Sequence, residues 1–208
     1  MNESRIERLA PLTGVVTVVL MMVGAALFGV YDYLPSAEKL NEIISANPTR
    51  VYLAGYIGSI AAFFLIWFAG SVFNALREQE GGTGRLSMVA FGGGVASGVA
   101  LAAGFSTMIA SGSRAGAVGG ISLAEAVTLY DLYGQVLGQM FAITIAVFIG
   151  ASAVVSLRAA VFPAWFGWVS ALVAFGLLTP IAYIVLAFAL VWLFVVSIWL
   201  YRRGASTA

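Results

Sequence analysis

The chain has 208 residues, 62% of them hydrophobic and 9% charged, with a net charge of +1, no cysteine and no histidine. Soluble domains carry about a quarter charged residues, so a water-dissolved globule is excluded, and so small a charge leaves no nucleic-acid footprint. Without thiols or imidazoles there are no disulfides, thiolate chemistry, imidazole-ligated haem, usual zinc sites or histidine general bases.

The apolar excess (mean hydropathy +1.01) is gathered into discrete windows. A helix crosses a hydrocarbon core of about 30 Å with about 20 apolar residues at about 1.5 Å each. The first window, residues 9–31, follows Arg5 and Arg8 as a secretory signal would. It is too long for a signal core of about 7–15 residues, and it ends in Tyr31, Asp32 and Tyr33 with no convincing small-x-small cleavage site. It reads as an uncleaved span.

After Pro35, Ser36 is placed to cap a short helix that ends at Asn47-Pro48. Ala37, Leu40, Ile43 and Ile44 share one face of it, opposite Glu38, Lys39 and Glu42. This is either an interfacial helix on the outer surface or over the bundle mouth, or a solvated connector. The second charge-free window, residues 51–76, carries Asn74 near its end as a cap or packing residue. Residues 77–85 form a solvated turn, and the third window begins at Leu86. Residues 111–120 hold four glycines and are expected to be a flexible loop. Ser122 and Glu125 then form a capping box, from which a helix should run past Asp131 into the fourth window, residues 132–157. The last stretch, residues 159–201, has 43 residues without an ionisable acid or base other than tyrosine. It is too long for one crossing and must divide at Thr179-Pro180, since proline is tolerated at a helix start but not inside.

The expected fold is therefore all-α: a single polytopic transmembrane bundle of six helices over residues 9–31, 51–76, 86–111, 132–157, 160–178 and 181–201. Six spans put both termini on one side. That side holds seven basic residues (Arg5, Arg8, Arg77, Arg85, Arg158, Arg202, Arg203) against three on the other (Lys39, Arg50, Arg114). The positive-inside rule then places the termini in the cytoplasm. Two aromatic belts are expected: Tyr31, Tyr33, Tyr52, Tyr56, Tyr130, Tyr133 and Tyr183 outside, and Trp165, Trp168, Trp199 and Tyr201 inside.

Lipid competes equally for apolar side chains, so association rests on close packing through small residues. Gly94-x-x-x-Gly98, Ala100-x-x-x-Gly104 and Gly134-x-x-x-Gly138 lead us to expect close crossings by spans 3 and 4.

Ionisable groups inside a bilayer are costly and usually functional, and the deep interiors here have none. Asp131, Gln135 and Gln139 recur at four-residue steps on one face, with Gly138 beside them. Arg50, Arg114 and Glu125 could meet this face at its outer end. The candidate ligand-binding set is thus Asp131, Gln135, Gln139, Arg114, Arg50 and Glu125, an outer vestibule for a small polar or amphiphilic ligand. The competing reading is hydrogen bonding between helices. No catalytic residue, metal site or cofactor is assigned. Ser97, Ser106, Thr107, Ser111 and Ser113 have no histidine to activate them, and the sole lysine is Lys39.

The stretch Arg158-Ala-Ala-Val-Phe-Pro163-Ala-Trp165-Phe-Gly167-Trp168 resembles the turn between spans 4 and 5 in a large bacterial family of six-span membrane proteins of unknown function. That family has a basic residue followed by Pro-x-Trp-x-Gly-Trp. Residues 130–134, Asn47-Pro48 and the ending Trp199-Leu-Tyr-Arg202-Arg203 are similar too, whereas the connection between spans 5 and 6 is shorter than the family's. The resemblance implies six spans and carries over no activity. The sequence thus points to a multi-pass protein of the bacterial cytoplasmic membrane, a non-catalytic module that binds a lipophilic ligand or pairs with a membrane partner or a second copy. Its alternatives are a small oligomeric transporter or channel, and a membrane enzyme acting on a lipid headgroup.

Overall fold

A computed structural model describes residues 7–30, 35–159 and 161–206. Arg5, Tyr31, Tyr33 and residue 160, where the fifth span was expected to begin, lie outside the described residues. Among the described residues there are seven helices: α1 (Thr13–Phe28, entered by a helical run from Glu7), α2 (Ala37–Ala46), α3 (Pro48–Glu80), α4 (Arg85–Val118), α5 (Leu123–Ala159), α6 (Ala164–Leu177) and α7 (Ala182–Ser206). Five of them (α1, α3, α4, α5 and α7) are long and apolar enough to cross a membrane. Helices satisfy their own backbone groups, which is what permits them in hydrocarbon.

The local start signals work as their chemistry requires. Ser36 Oγ accepts the Lys39 N–H at 3.3 Å, and Asn47 Oδ1 accepts the Arg50 N–H at 3.1 Å directly after α2 ends. Ser122 and Glu125 form the reciprocal capping box. The turn at residues 77–85 is more than a solvated connector. Glu80 folds back so that its carboxylate accepts the N–H groups of Leu86 and Ser87 at 2.9 and 2.7 Å, capping α4.

Each long element runs antiparallel to the next. Gly14 of α1 lies against Phe68 of α3 and Gly24 against Ala54. Gly58 of α3 meets Phe105 of α4, while Ala69 meets Gly94. Gly104 meets Leu137 of α5, and Gly93 meets Phe148. Leu157 meets Gly167 of α6, and Gly176 meets Val185 of α7. The circuit closes where Ser197 of α7 reaches the start of α1: its hydroxyl accepts the Val15 N–H at 3.2 Å and donates to Pro11 O at 2.5 Å. The described ends of the chain therefore share one end of the bundle.

Three expectations need correction. A fifth span over residues 160–178 was expected, but its helix, α6, has 14 residues, about 21 Å at about 1.5 Å per residue, short of a full core. The chain turns after Leu177 through bonded turns at Leu178 and Thr179, and Pro180 has no N–H with which to extend α6. Second, residues 111–118 are helical, not a loop. Gly112 packs against the backbone of Tyr52, where an added Cβ would lie 2.5 Å from its nitrogen, so tertiary contact overrides the glycine-rich composition. Third, α4 crosses its neighbours closely at Gly93, Gly94, Gly98 and Gly104, but Gly134 and Gly138 of α5 face nothing within 4 Å.

The helix α2 is bound to the bundle. Leu40 and Ile44 are buried. Asn41 Nδ2 donates to Ile121 O, and the Ile121 N–H donates to Ser45 Oγ at 3.3 Å. It lies over the junction of α4 and α5, at the end of the bundle away from the termini. Elsewhere the outer surface is apolar, with Leu172 and Phe175 of α6 each 70% exposed, as a lipid-facing surface requires.

Candidate functional site: a mixed crevice between α1, α5 and α7

The short α6 leaves a gap. Gly150 of α5 faces Ala174, three residues before α6 ends, whereas α5 continues from Gly150 back to Leu123, about 40 Å at about 1.5 Å per residue. Beside the overtopping part of α5 lies a crevice of about 420 Å³. Tyr130, Asp131, Tyr133, Gly134, Gln135, Leu137, Gly138, Gln139 and Phe141 form one wall, while Met21 of α1 and Pro180, Ala182, Tyr183, Leu186 and Leu190 of the α7 side form the other.

The polar stripe depends on a defect in α5. Residues Val136–Phe141 form a π-helical turn. A four-residue step in an α-helix overshoots one turn by about 40°. In a π-helix, with bonds closing i→i+5 and about 4.4 residues per turn, the same step falls short by about 30°. The step from Asp131 to Gln135 is α-helical and the next step, to Gln139, runs through the π turn, so the drifts nearly cancel. A regular helix would have spread the three over about 80° of one face. Just beyond, Thr144 Oγ1 lies 2.8 Å from Met140 O and 3.1 Å from Phe141 O, so its hydroxyl proton serves carbonyls that the irregular turn displaces.

The two glycines keep the crevice open. Both line it, and a Cβ added at either would meet no atom within 4 Å. The aromatic wall is anchored from behind: the Tyr133 ring stands edge-on to Phe28 at 5.9 Å and to Phe105 at 5.8 Å, and Tyr130 stacks on Phe28 at 6.2 Å. Tyr133 is thus turned into the bundle and does not lie in a surface belt, while Tyr52, Tyr56, Tyr183, Trp165, Trp168 and Trp199 are exposed.

Of the six candidate residues, Asp131, Gln135 and Gln139 line the crevice; Arg50, Arg114 and Glu125 do not. Arg50 reaches the carbonyl end of α1, its guanidinium 3.4 Å from Ala26 O, where a cation is favoured by the helix dipole. Arg114 pairs with Glu125 at 3.5 Å. Hydrogen bonds from the Ser122 N–H and hydroxyl, with Arg114 nearby, hold the Glu125 carboxyl below its ordinary range. Both side chains close the junction of α4 and α5. The sequence reading missed Met21, Leu186 and Leu190, since nothing in an apolar run marks which members border a cavity. Among the serine and threonine hydroxyls weighed for chemistry, Ser97, Ser106, Thr107 and Ser111 each donate to a carbonyl one turn earlier, at 2.7–2.8 Å.

The helices, their composition and their apolar exterior define a multi-pass helical membrane protein. No family model matches the chain, and no curated protein or solved structure matches it either.

Proposed function

We propose that the protein is a non-catalytic module of the cytoplasmic membrane, with both termini in the cytoplasm, that binds an amphiphilic ligand in the crevice between α1, α5 and α7. One observation carries this reading: a polar stripe and an apolar wall face each other across a volume within the range of about 300–1,000 Å³ usual for small-molecule sites. A head group finds Asp131, Gln135 and Gln139, while a chain finds Met21, Leu186 and Leu190. The floor argues for binding over passage. Phe141 and Leu190 are the last lining residues along α5 and α7, and beyond them Phe148 and Trp192 pack edge-to-face at 5.5 Å, both buried. The excess of basic residues toward the termini supports the orientation.

The six-span family resemblance enters here as well. Pro163 precedes α6, Trp165 and Trp168 are exposed, and Gly167 lies against Leu157. Those are the roles this turn would need at a membrane interface. The resemblance brings no activity with it.

Gly138→Leu tests the reading, because it fills the crevice without straining the fold. A dodecyl alcohol bearing a diazirine on its tail is photolysed with the protein in neutral detergent, and labelled peptides are mapped by mass spectrometry. Wild-type protein should be labelled on α5 and α7. The variant should lose about nine-tenths of that labelling and keep its unfolding temperature. Undiminished labelling in the variant would overturn the proposal.

A further inference from the structure

We infer that the crevice selects single-chain amphiphiles whose head carries a net positive charge on nitrogen, a quaternary or protonated amine with no phosphate. This rests on the binding reading above and specifies its ligand class. The carboxylate of Asp131 stands on the crevice wall, and among the described residues no lysine or arginine forms an ion pair with it. The basic side chains of that end of the bundle are placed elsewhere. Arg50 sits on the end of α1, Arg114 pairs with Glu125, and Lys39 belongs to α2; none lines the crevice.

The rest of the lining is suited to a cation. Tyr130, Tyr133 and Tyr183 put three aromatic rings on the walls, and ring faces attract ammonium groups electrostatically. Gln135 and Gln139 add neutral amide oxygens that can accept from an N–H head. An anionic head would meet Asp131 with no cation on the crevice wall to offset it. A volume of about 420 Å³ admits a head and a length of one chain. The exposed residues Gln139, Met140 and Tyr183 mark an open side, through which the remaining chain can lie among lipid tails.

Four chain-matched diazirine probes decide the matter, with trimethylammonium, alcohol, carboxylate and phosphocholine heads. In wild-type protein the ammonium probe should label the crevice about tenfold more than the carboxylate probe. Asp131→Asn should reduce that ratio to about threefold or less. Equal labelling by ammonium and carboxylate probes, or an unchanged ratio in Asp131→Asn, would overturn the inference while the crevice itself stands. Phosphocholine labelling equal to or above ammonium labelling would overturn it in favour of a lipid headgroup. If Gly138→Leu leaves alcohol and ammonium labelling intact, it is the crevice reading that fails.

Discussion

Two regions of this molecule use glycine in opposite ways. Along the seam of α3 and α4 the backbones touch: a Cβ on Gly55 would stand 2.6 Å from the Ile109 nitrogen, and one on Gly58 would stand 2.1 Å from the Phe105 ring. Gly94 and Gly98, four residues apart on α4, are as tightly covered by Ala69 and Ile66 of α3, whereas a Cβ on Gly134 or Gly138 of α5, at the same four-residue spacing, would meet nothing within 4 Å. One pair lets helices close together; the other holds a cavity open. The spacing is thus silent about its purpose until the neighbouring helix is known. Here α6 ends early and the α7 side stands off from α5 across the crevice.

The contrast can be broken by substitution. Gly55→Ala should be the most damaging change, costing about 1–3 kcal/mol of stability, because backbone on the facing helix cannot yield as a side-chain tip can. A thermal-shift measurement in detergent checks it; an unchanged midpoint would mean the seam is looser than its geometry. Ser197→Ala comes next, at about 1 kcal/mol. It leaves the Val15 N–H and Pro11 carbonyl without their buried partner where α7 meets α1. Faster hydrogen exchange at Val15 should accompany the loss.

Gly134→Ala should act in the opposite direction to Gly55→Ala, stabilising by about 0.5–1 kcal/mol, since alanine restricts the unfolded chain and meets no obstacle in the helix. A fall in stability would show that the α5 surface is covered after all. The smallest effect is expected at the turn that begins the α3–α4 seam. Burial of Glu80 opposes its ionisation, but hydrogen bonds from the Ser87 hydroxyl and the Leu86 and Ser87 N–H groups, with Arg77 nearby, outweigh it. Its folded pKa therefore lies below the ordinary 4.5. The stabilisation is complete above that value and is lost as pH falls through the lowered one. Glu80→Gln should remove a few tenths of a kcal/mol at neutral pH and flatten the acid limb of the stability profile. A variant that keeps the full acid limb would assign the dependence to other carboxylates.

Much of the plan was legible in the residues themselves. Runs without ionised side chains marked the apolar helices, because an uncompensated charge in hydrocarbon is expensive. Ser36, Asn47, Ser122 with Glu125, and Thr179-Pro180 marked where helices start and stop, because capping is decided within three or four residues. The stripe of Asp131, Gln135 and Gln139 was also visible as a four-residue repeat. Its straightness was not, since that depends on a π turn with no composition of its own. The helical state of residues 111–118 was hidden too, because glycines that read as a loop serve there as a landing for Tyr52 and Pro48.

By itself, then, the order of apolar runs and caps determined that this chain is a multi-pass helical protein and where most helices begin, because hydrocarbon forces every backbone group to bond locally. Only the tertiary structure decided which glycines close a seam and which open a crevice, that α2 lies over the bundle, and that α6 stops short. Those outcomes depend on contacts between residues far apart in the chain, and no local pattern encodes how far a neighbouring helix reaches.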